Sequence, residues 1–241
     1  MNIQTFNIEK DIEGQSIVLS PTVIQQDNFT LLVDCGYEET FDEFKTALAE
    51  LGMPIQSLDA IFISHDDIDH LGALSLFLAE NPNLQIYASA VEKDAIEGTI
   101  PSERLVQAET SLPFMPDEYR PWAEHFITRL KKIKRAKVHH TFQSGDFVLK
   151  NLQVIATPGH TKGHISLFDP QTKTLIANDA LVIEEGKLNI ANPQFTLDMQ
   201  QAILSVKKIQ ALQPHVIICY HGGILKEEIE RQLEMLLNQY E

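Results

Sequence analysis

The strongest constraint in this sequence is a short apolar segment that runs directly into a cluster of metal-binding side chains. The segment Ala60-Ile61-Phe62-Ile63 is typical of a buried β-strand and ends at Ser64. The loop that follows brings four candidate ligands within six residues: His65, Asp67, Asp69 and His70. Imidazole and carboxylate groups clustered on a loop after a strand are typical of a metal centre.

Further candidate ligands follow other apolar segments. His160 and His221 occupy glycine-rich turns, Thr157-Pro158-Gly159-His160 and Tyr220-His221-Gly222-Gly223. Asp179 comes shortly after the apolar run Thr174-Leu175-Ile176-Ala177. Because a strand followed by a ligand recurs along the chain, we predict that these side chains meet in one metal site.

These motifs together resemble the metallo-β-lactamase superfamily of binuclear metallohydrolases. The first motif of that family is His-x-His-x-Asp-His, and here Asp67 stands where the middle histidine belongs. The other elements occur in the order of the family: Leu32-Val33-Asp34-Cys35-Gly36, the Gly-His-Thr-x-Gly-His segment from Gly159 to His164, Asp179 and His221. The resemblance spans roughly residues 15–225 and implies an α/β fold, the four-layer αββα sandwich, in a single domain over residues 1–241.

The resemblance also implies a role for each ligand. His65, Asp67 and His160 would hold one divalent metal, Asp69, His70 and His221 the second, and Asp179 would bridge the two. Zinc is the expected metal, and a metal-bridging hydroxide would be the nucleophile. Asp69 would also be catalytic, because it would orient that hydroxide by accepting a hydrogen bond. Asp34 is expected to orient a ligand, and His164 to pack near the site without binding metal.

Asp67 changes the charge of the centre that the resemblance implies. Two divalent ions carry four positive charges, and three carboxylates with one hydroxide cancel them. A neutral centre would be a weaker Lewis acid and would attract anionic substrates less. Three carboxylates among seven ligands also admit Mn or Fe beside Zn.

Composition narrows the substrate and the location. The net charge of −15 argues against a nucleic-acid substrate, because binding phosphates requires clustered Lys and Arg. The basic cluster Lys131–Lys137 is the exception. No apolar run approaches the ~18 residues of a membrane span, and the first residues lack the features of a signal peptide. Two cysteines, Cys35 and Cys219, are expected to be buried and reduced, which favours a cytoplasmic protein. The oligomeric state stays open.

Residues 98–140 are predicted to form a helical insertion. They contain four prolines and several aromatic residues, and a helix is expected to begin near Asp117. Two interpretations are compatible: an amphipathic helix packed on the sandwich, or a lid over the metals. As a lid, the segment would wall a substrate pocket with Phe114 and Tyr119.

The sequence therefore favours a binuclear metal-dependent hydrolase that cleaves a small-molecule ester, thioester or lactone. Three alternatives stay open. They are an iron-dependent redox enzyme on the same fold, a phosphodiesterase for a small nucleotide, and a non-enzymatic metal-binding protein. Nothing in the sequence identifies the substrate.

Overall fold

The computed structural model describes residues 1–240, which form two six-stranded β-sheets, two separate hairpins and eight α-helices. The strands are β1 (Asn2–Thr5), β2 (Ile8–Ile12), β3 (Gln15–Leu19), β4 (Thr22–Gln26), β5 (Phe29–Val33), β6 (Ala60–Ile63), β7 (Gln85–Ser89), β8 (His140–Phe142), β9 (Phe147–Leu149), β10 (Leu152–Ala156), β11 (Ile165–Asp169), β12 (Thr174–Ile176), β13 (Val182–Glu184), β14 (Lys187–Asn189), β15 (Val216–Cys219) and β16 (Gly223–Leu225). The helices are α1 (Phe41–Glu50), α2 (Ile68–Leu71), α3 (Leu74–Glu80), α4 (Lys93–Ile96), α5 (Glu103–Ser111), α6 (Arg120–Lys132), α7 (Met199–Leu212) and α8 (Ile229–Asn238).

The order of the strands brings the ligand-bearing loops together. The first sheet has the order β1-β4-β5-β6-β7-β8, and the second has the order β16-β15-β12-β11-β10-β9. In the first sheet β5, β6, β7 and β8 run parallel, with Leu32 opposite Ile61 and Ile61 opposite Ile86. In the second sheet β12 and β15 are the parallel pair. Loops that leave parallel neighbours share one edge of a sheet, and such edges are where α/β proteins place their sites.

Three buried apolar layers hold four layers of structure together. Between the sheets, residues such as Phe62 and Val33 of the first sheet pack with Leu167 of the second. On the outside of the first sheet, Ile61 and Ile63 belong to the cluster that includes residues of α1 and α3. The outside of the second sheet packs in the same way against α7 and α8. This is the predicted αββα arrangement, and β6 at the centre of the first sheet is apolar throughout because both of its faces are buried.

The apolar spacing of the sequence predicts single helices over residues 69–80 and 224–240 and a helix from near Asp117, and the structure differs from this in three places. The helix expected over residues 69–80 is divided into α2 and α3, and α5 in the insertion was not predicted. The helix expected over 224–240 starts only at Ile229, because residues 223–225 pair antiparallel with β15. Gly222 and Gly223 have φ values of 102° and 84°, which glycine adopts without strain and which turn the chain back onto β15.

Among the residues that the structure describes, none of the helices combines the length and the apolar composition that crossing a membrane would require. Both cysteines are free and buried, as predicted. Burial raises the pKa of each thiol, so neither is a ready nucleophile.

The layer between the sheets gives a test of the fold. Phe62 is fully buried there, whereas Phe114 in the insertion is 87% exposed. We expect Phe62→Ala to lower the free energy of unfolding by about 3–5 kcal/mol, because it leaves a cavity between two sheets that cannot collapse. Phe114→Ala should stay within about 0.5 kcal/mol of the wild type. Urea denaturation measures both, and equal losses would contradict the layer assignment.

Candidate metal centre

The candidate ligands lie on loops at one edge of the sandwich. The segment after β6 carries four of them, two in its loop and two in α2, and the turn between β10 and β11 carries His160. A short 3₁₀ helix after β12, Asn178–Ala180, carries Asp179, and His221 directly follows β15 and Tyr220. Gly159 has a φ of 140°, and a Cβ there would lie 2.4 Å from the backbone nitrogen of Ala202. The turn that presents His160 therefore needs glycine to pack against α7.

The structure brings all seven predicted ligands together in two groups, each with ligand atoms within 4.8 Å of one another. The first ligand group consists of His65, Asp67 and His160. The second ligand group consists of Asp69, His70, Asp179 and His221.

Asp179 lies against both groups. Its Oδ2 atom is 3.6 Å from Nε2 of His160 in the first group and 3.5 Å from Nε2 of His221 in the second. Its Oδ1 atom is 3.4 Å from Nε2 of His70. Two atoms bound tetrahedrally to one zinc ion at 2.0–2.1 Å are roughly 3.4 Å apart, so these separations suit ligands of a shared metal.

Unpaired buried atoms show that the donor set fits a metal. Within residues 1–240, Nε2 of His65, Nε2 of His70 and Oδ1 of Asp179 are buried without a hydrogen-bond partner. Buried polar atoms are rarely left unsatisfied, and these three belong to the two ligand groups. A divalent cation would satisfy each of them, and imidazole with carboxylate is a donor set that zinc accepts.

Asp34 orients the ligands of the loop after β6. Its Oδ2 atom lies 2.8 Å from Nδ1 of His70 and accepts a hydrogen bond of 2.7 Å from the Ser64 hydroxyl. The same hydroxyl lies 2.9 Å from Nδ1 of His65. Both histidines thus have Nδ1 engaged and Nε2 free for a metal, which is the orienting role expected of Asp34. Asp34 has a φ of 59°, a strained conformation for aspartate at a buried position.

His164 is engaged at both ring nitrogens and is not placed as a ligand. Its Nε2 atom accepts a hydrogen bond of 3.2 Å from the backbone N–H of Asp179, and its Nδ1 atom lies 2.9 Å from Oγ1 of Thr157. Burial lowers the pKa of His164 well below its usual value, so the ring is neutral and can accept at Nε2. This agrees with the expectation that His164 packs beside the site and supports Asp179.

The sequence did not reveal Arg104, which pairs with Asp67. Arg104 donates from Nη2 to Oδ2 of Asp67 at 2.8 Å and from Nε to Oδ1 at 3.1 Å. Burial alone would raise the pKa of Asp67, but Arg104 and His160 hold it well below the usual range. The charge sum drawn from the sequence counts the ligands alone, and this guanidinium adds one positive charge beside them. No spacing or motif singles out an arginine in the first turn of a surface helix.

The insertion helps to line a cavity of about 510 Å³ above the ligand groups. From α6 it contributes Trp122 and Phe126, whose rings stack with centroids 5.4 Å apart. Phe114 and Tyr119, the residues predicted to wall the pocket, are 87% and 56% exposed and do not line it. That expectation is wrong, because both residues precede α6, and the insertion faces the cavity with α6 and with Arg104 of α5. The opposite wall comes from the β2–β3 hairpin and from residues 182–195.

Glu92 supports the turn that carries His160. Its Oε1 atom accepts hydrogen bonds of 2.6 Å from the Thr161 hydroxyl and 2.9 Å from the Gly163 N–H. Burial raises the pKa of Glu92 to about 7, although the hydrogen bond from Thr161 opposes the shift. The protonated form is therefore favoured in the folded protein below about pH 7.

A carboxyl group whose pKa rises on folding stabilises the protein below its unfolded pKa and loses that contribution as the pH rises through the folded value. For Glu92 this window runs from 4.5 to about 7. In metal-free wild-type protein, we expect the free energy of unfolding to fall by on the order of 3 kcal/mol as the pH rises through that window. Glu92→Gln should remove this fall, because its side chain does not titrate. Denaturant unfolding of both proteins at pH 5 and pH 8 measures it. Glu92→Ala should be less stable than Glu92→Gln at both values, because it leaves the donors of Thr161 and Gly163 unpaired. Parallel curves for Glu92→Gln and the wild type would contradict this assignment.

Comparisons with known proteins agree with this geometry. The family model described as the metallo-beta-lactamase superfamily matches residues 20–221. The chain is 27% identical over 222 residues to the uncharacterized protein YobT of Bacillus subtilis (strain 168), covering 89% of this chain and 87% of that protein. It is 25% identical over 207 residues to the probable metallo-hydrolase YybB of the same organism, covering 86% and 80%. Among solved structures, a metallo-beta-lactamase family protein from Thermus thermophilus superposes with a TM-score of 0.72 at 19% identity, covering 99% of this chain and 79% of that one.

Proposed function

Because the chain belongs to the metallo-β-lactamase superfamily and is a hydrolase of that superfamily, we propose that it uses two divalent metal ions, zinc by preference, to cleave a small-molecule ester, thioester or lactone. The position of Asp179 between the two ligand groups carries this proposal. His65, Asp67 and His160 would hold one ion, and Asp69, His70 and His221 the other, with Asp179 bridging them. When bound, the ions supply Lewis acidity and make water a nucleophile near neutral pH.

Asp69 is the proposed catalytic carboxylate. Its Oδ2 atom lies 3.1 Å from Nε2 of His221, and the Tyr220 hydroxyl donates a hydrogen bond of 2.9 Å to the backbone oxygen of Asp69. These contacts fix the carboxylate at the floor of the cavity, where it can orient an attacking water and take up its proton. No serine or cysteine nucleophile is needed for such a reaction.

The cavity favours a small substrate with an apolar part. Its volume of about 510 Å³ is within the range typical of small-molecule sites. Trp122, Phe126 and Ile17 offer apolar surface, and Arg129 and Asn192 offer polar contacts near the ligand groups. An acyl compound could therefore place its apolar part on the aromatic wall and its reacting carbonyl over the metal centre.

The structure also bears on the proposal that nucleic acid is not a substrate. Three of the five basic residues in the cluster Lys131–Lys137 are paired with acidic residues: Lys131 with Glu109, Lys134 with Glu38 and Arg135 with Asp66. Paired cations have less charge to offer to phosphates, and the net charge of the chain is −15. The cytoplasmic location stays a prediction from cysteine content.

Metal content and a substrate panel test the proposal. We expect two equivalents of zinc per chain by elemental mass spectrometry after metal loading, because seven ligand side chains converge. Esters, thioesters and lactones should be hydrolysed, and Asp69→Asn should lower kcat by about 100-fold or more. Phosphodiester cleavage or oxygen uptake in place of acyl hydrolysis would favour a phosphodiesterase or an iron redox enzyme. Metal binding without turnover would favour a non-enzymatic protein.

The aromatic wall gives a second test once a substrate is known. Trp122→Ala and Phe126→Ala should raise KM several-fold and change the preference among acyl chains, because each removes apolar surface from the cavity. Phe114→Ala and Tyr119→Ala are matched controls on the same insertion and should leave kcat/KM unchanged. Steady-state kinetics at constant metal content measures all four. Equal effects from both pairs would mean that α6 does not contact the substrate.

A further inference from the structure

The helical insertion delivers a buried cation to the metal centre. Arg104 is the second residue of α5, and only 3% of it is exposed. The start of the helix is fixed by Ser102, whose hydroxyl accepts a hydrogen bond of 3.1 Å from the Leu105 N–H. Burying a guanidinium group costs free energy unless its N–H donors have hydrogen-bond partners. The partners of Arg104 therefore indicate what this residue does.

Three partners hold the guanidinium in place. Both oxygens of Asp67 accept from it, at 3.1 Å and 2.8 Å. Nη2 also donates to the backbone oxygen of Phe195 at 2.6 Å, and Nη1 donates to Oε1 of Gln107 at 2.7 Å. The guanidinium group is therefore held between α5 and residues 190–197, and it has little freedom to move away from Asp67.

The same guanidinium contacts two of the three ligand atoms in the first ligand group. Nη2 of Arg104 lies 2.8 Å from Oδ2 of Asp67 and 3.5 Å from Nε2 of His160. Oδ2 of Asp67 is also the atom that lies 3.0 Å from His160 and 3.5 Å from Nε2 of His65. A metal in this group would share its carboxylate with a fixed positive charge.

The second ligand group differs in this respect. Its contacts join Asp69, Asp179, His70 and His221 to one another, and His70 also to Asp34. Within residues 1–240, no hydrogen bond or ion pair links an arginine or lysine to its ligand atoms. Coulomb repulsion from this cation should thus fall more strongly on the first metal position than on the second.

We propose that Arg104 makes the two metal positions unequal: it holds Asp67 in place and competes for its charge, so the second ligand group binds its ion more tightly and fills first. Asp67 and Arg104 together contribute no net charge to the first ligand group. In the second ligand group, no arginine or lysine of residues 1–240 pairs with Asp69 or Asp179 to offset their negative charges. The inference rests on the proposed metal centre and concerns the order of filling, which the proposed reaction does not determine.

Zinc titration of the full-length, chelator-treated protein tests the inference without an activity assay. Competition with a chromophoric chelator should resolve two equivalents in the wild type, the weaker by about tenfold or more. Arg104→Gln removes the charge but keeps a donor for Asp67, and should tighten the weaker equivalent by about tenfold while changing the tighter one less than about twofold. Arg104→Lys is the matched control that keeps the positive charge. Its more weakly bound zinc equivalent should keep about the affinity that it has in the wild type.

A crystal grown with half an equivalent of zinc gives an independent measurement on the wild type. Anomalous density should lie among Asp69, His70, Asp179 and His221, and this result decides the matter if Arg104→Gln does not fold. Density confined to the first group, equal affinities in the wild type, or a weaker equivalent loosened by Arg104→Gln would each overturn the inference. A wild type that binds no zinc would instead refute the proposed function itself.

Discussion

Asp179 is the contact on which the rest of the centre depends. One buried carboxylate lies 3.6 Å from a histidine of the first ligand group and 3.5 Å from a histidine of the second, so the two halves of the site are joined through it. It can lie there only because β12 runs parallel to β15 and ends beside it. The His164 ring, held by Thr157, accepts the backbone N–H of Asp179 and fixes its turn. The geometry of the second sheet thus helps to set the spacing of the two ligand groups.

Burying this much charge requires a supporting layer of partners. Asp34 and the Ser64 hydroxyl turn His70 and His65 so that their Nε2 atoms face the shared space. Glu92 braces the turn of His160 from below by accepting from Thr161 and Gly163. These residues bind no metal in our proposal, yet the positions of the ligands follow from their hydrogen bonds.

The central strands could be predicted because they depend on local pattern, whereas the sandwich and the set of converging side chains followed from the family resemblance. The run of residues 60–63 is apolar on both faces, and the ligands follow strand ends, so the sequence and its resemblance were enough. What could not be predicted depends on tertiary contacts. Leu225 fits a helical spacing but pairs as a strand with Ile217 after two glycines. Arg104 has no signature in the sequence, because its importance arises only where α5 packs over Asp67.

The insertion therefore links substrate cavity and metal centre in a way that neither interpretation of it anticipated. Helix α6 of the insertion faces the cavity with Trp122 and Phe126. Helix α5 of the insertion carries Arg104, which donates a hydrogen bond to Asp67. The two helices pack on each other, so the residues that line the cavity and the residue that pairs with Asp67 belong to one packed unit. Phe195 strengthens this link, because its backbone oxygen holds the guanidinium and its ring lies 5.4 Å from it while also lining the cavity. Arg104 thus borders the cavity and the first ligand group at once, and Phe195 fixes it from the side of the cavity.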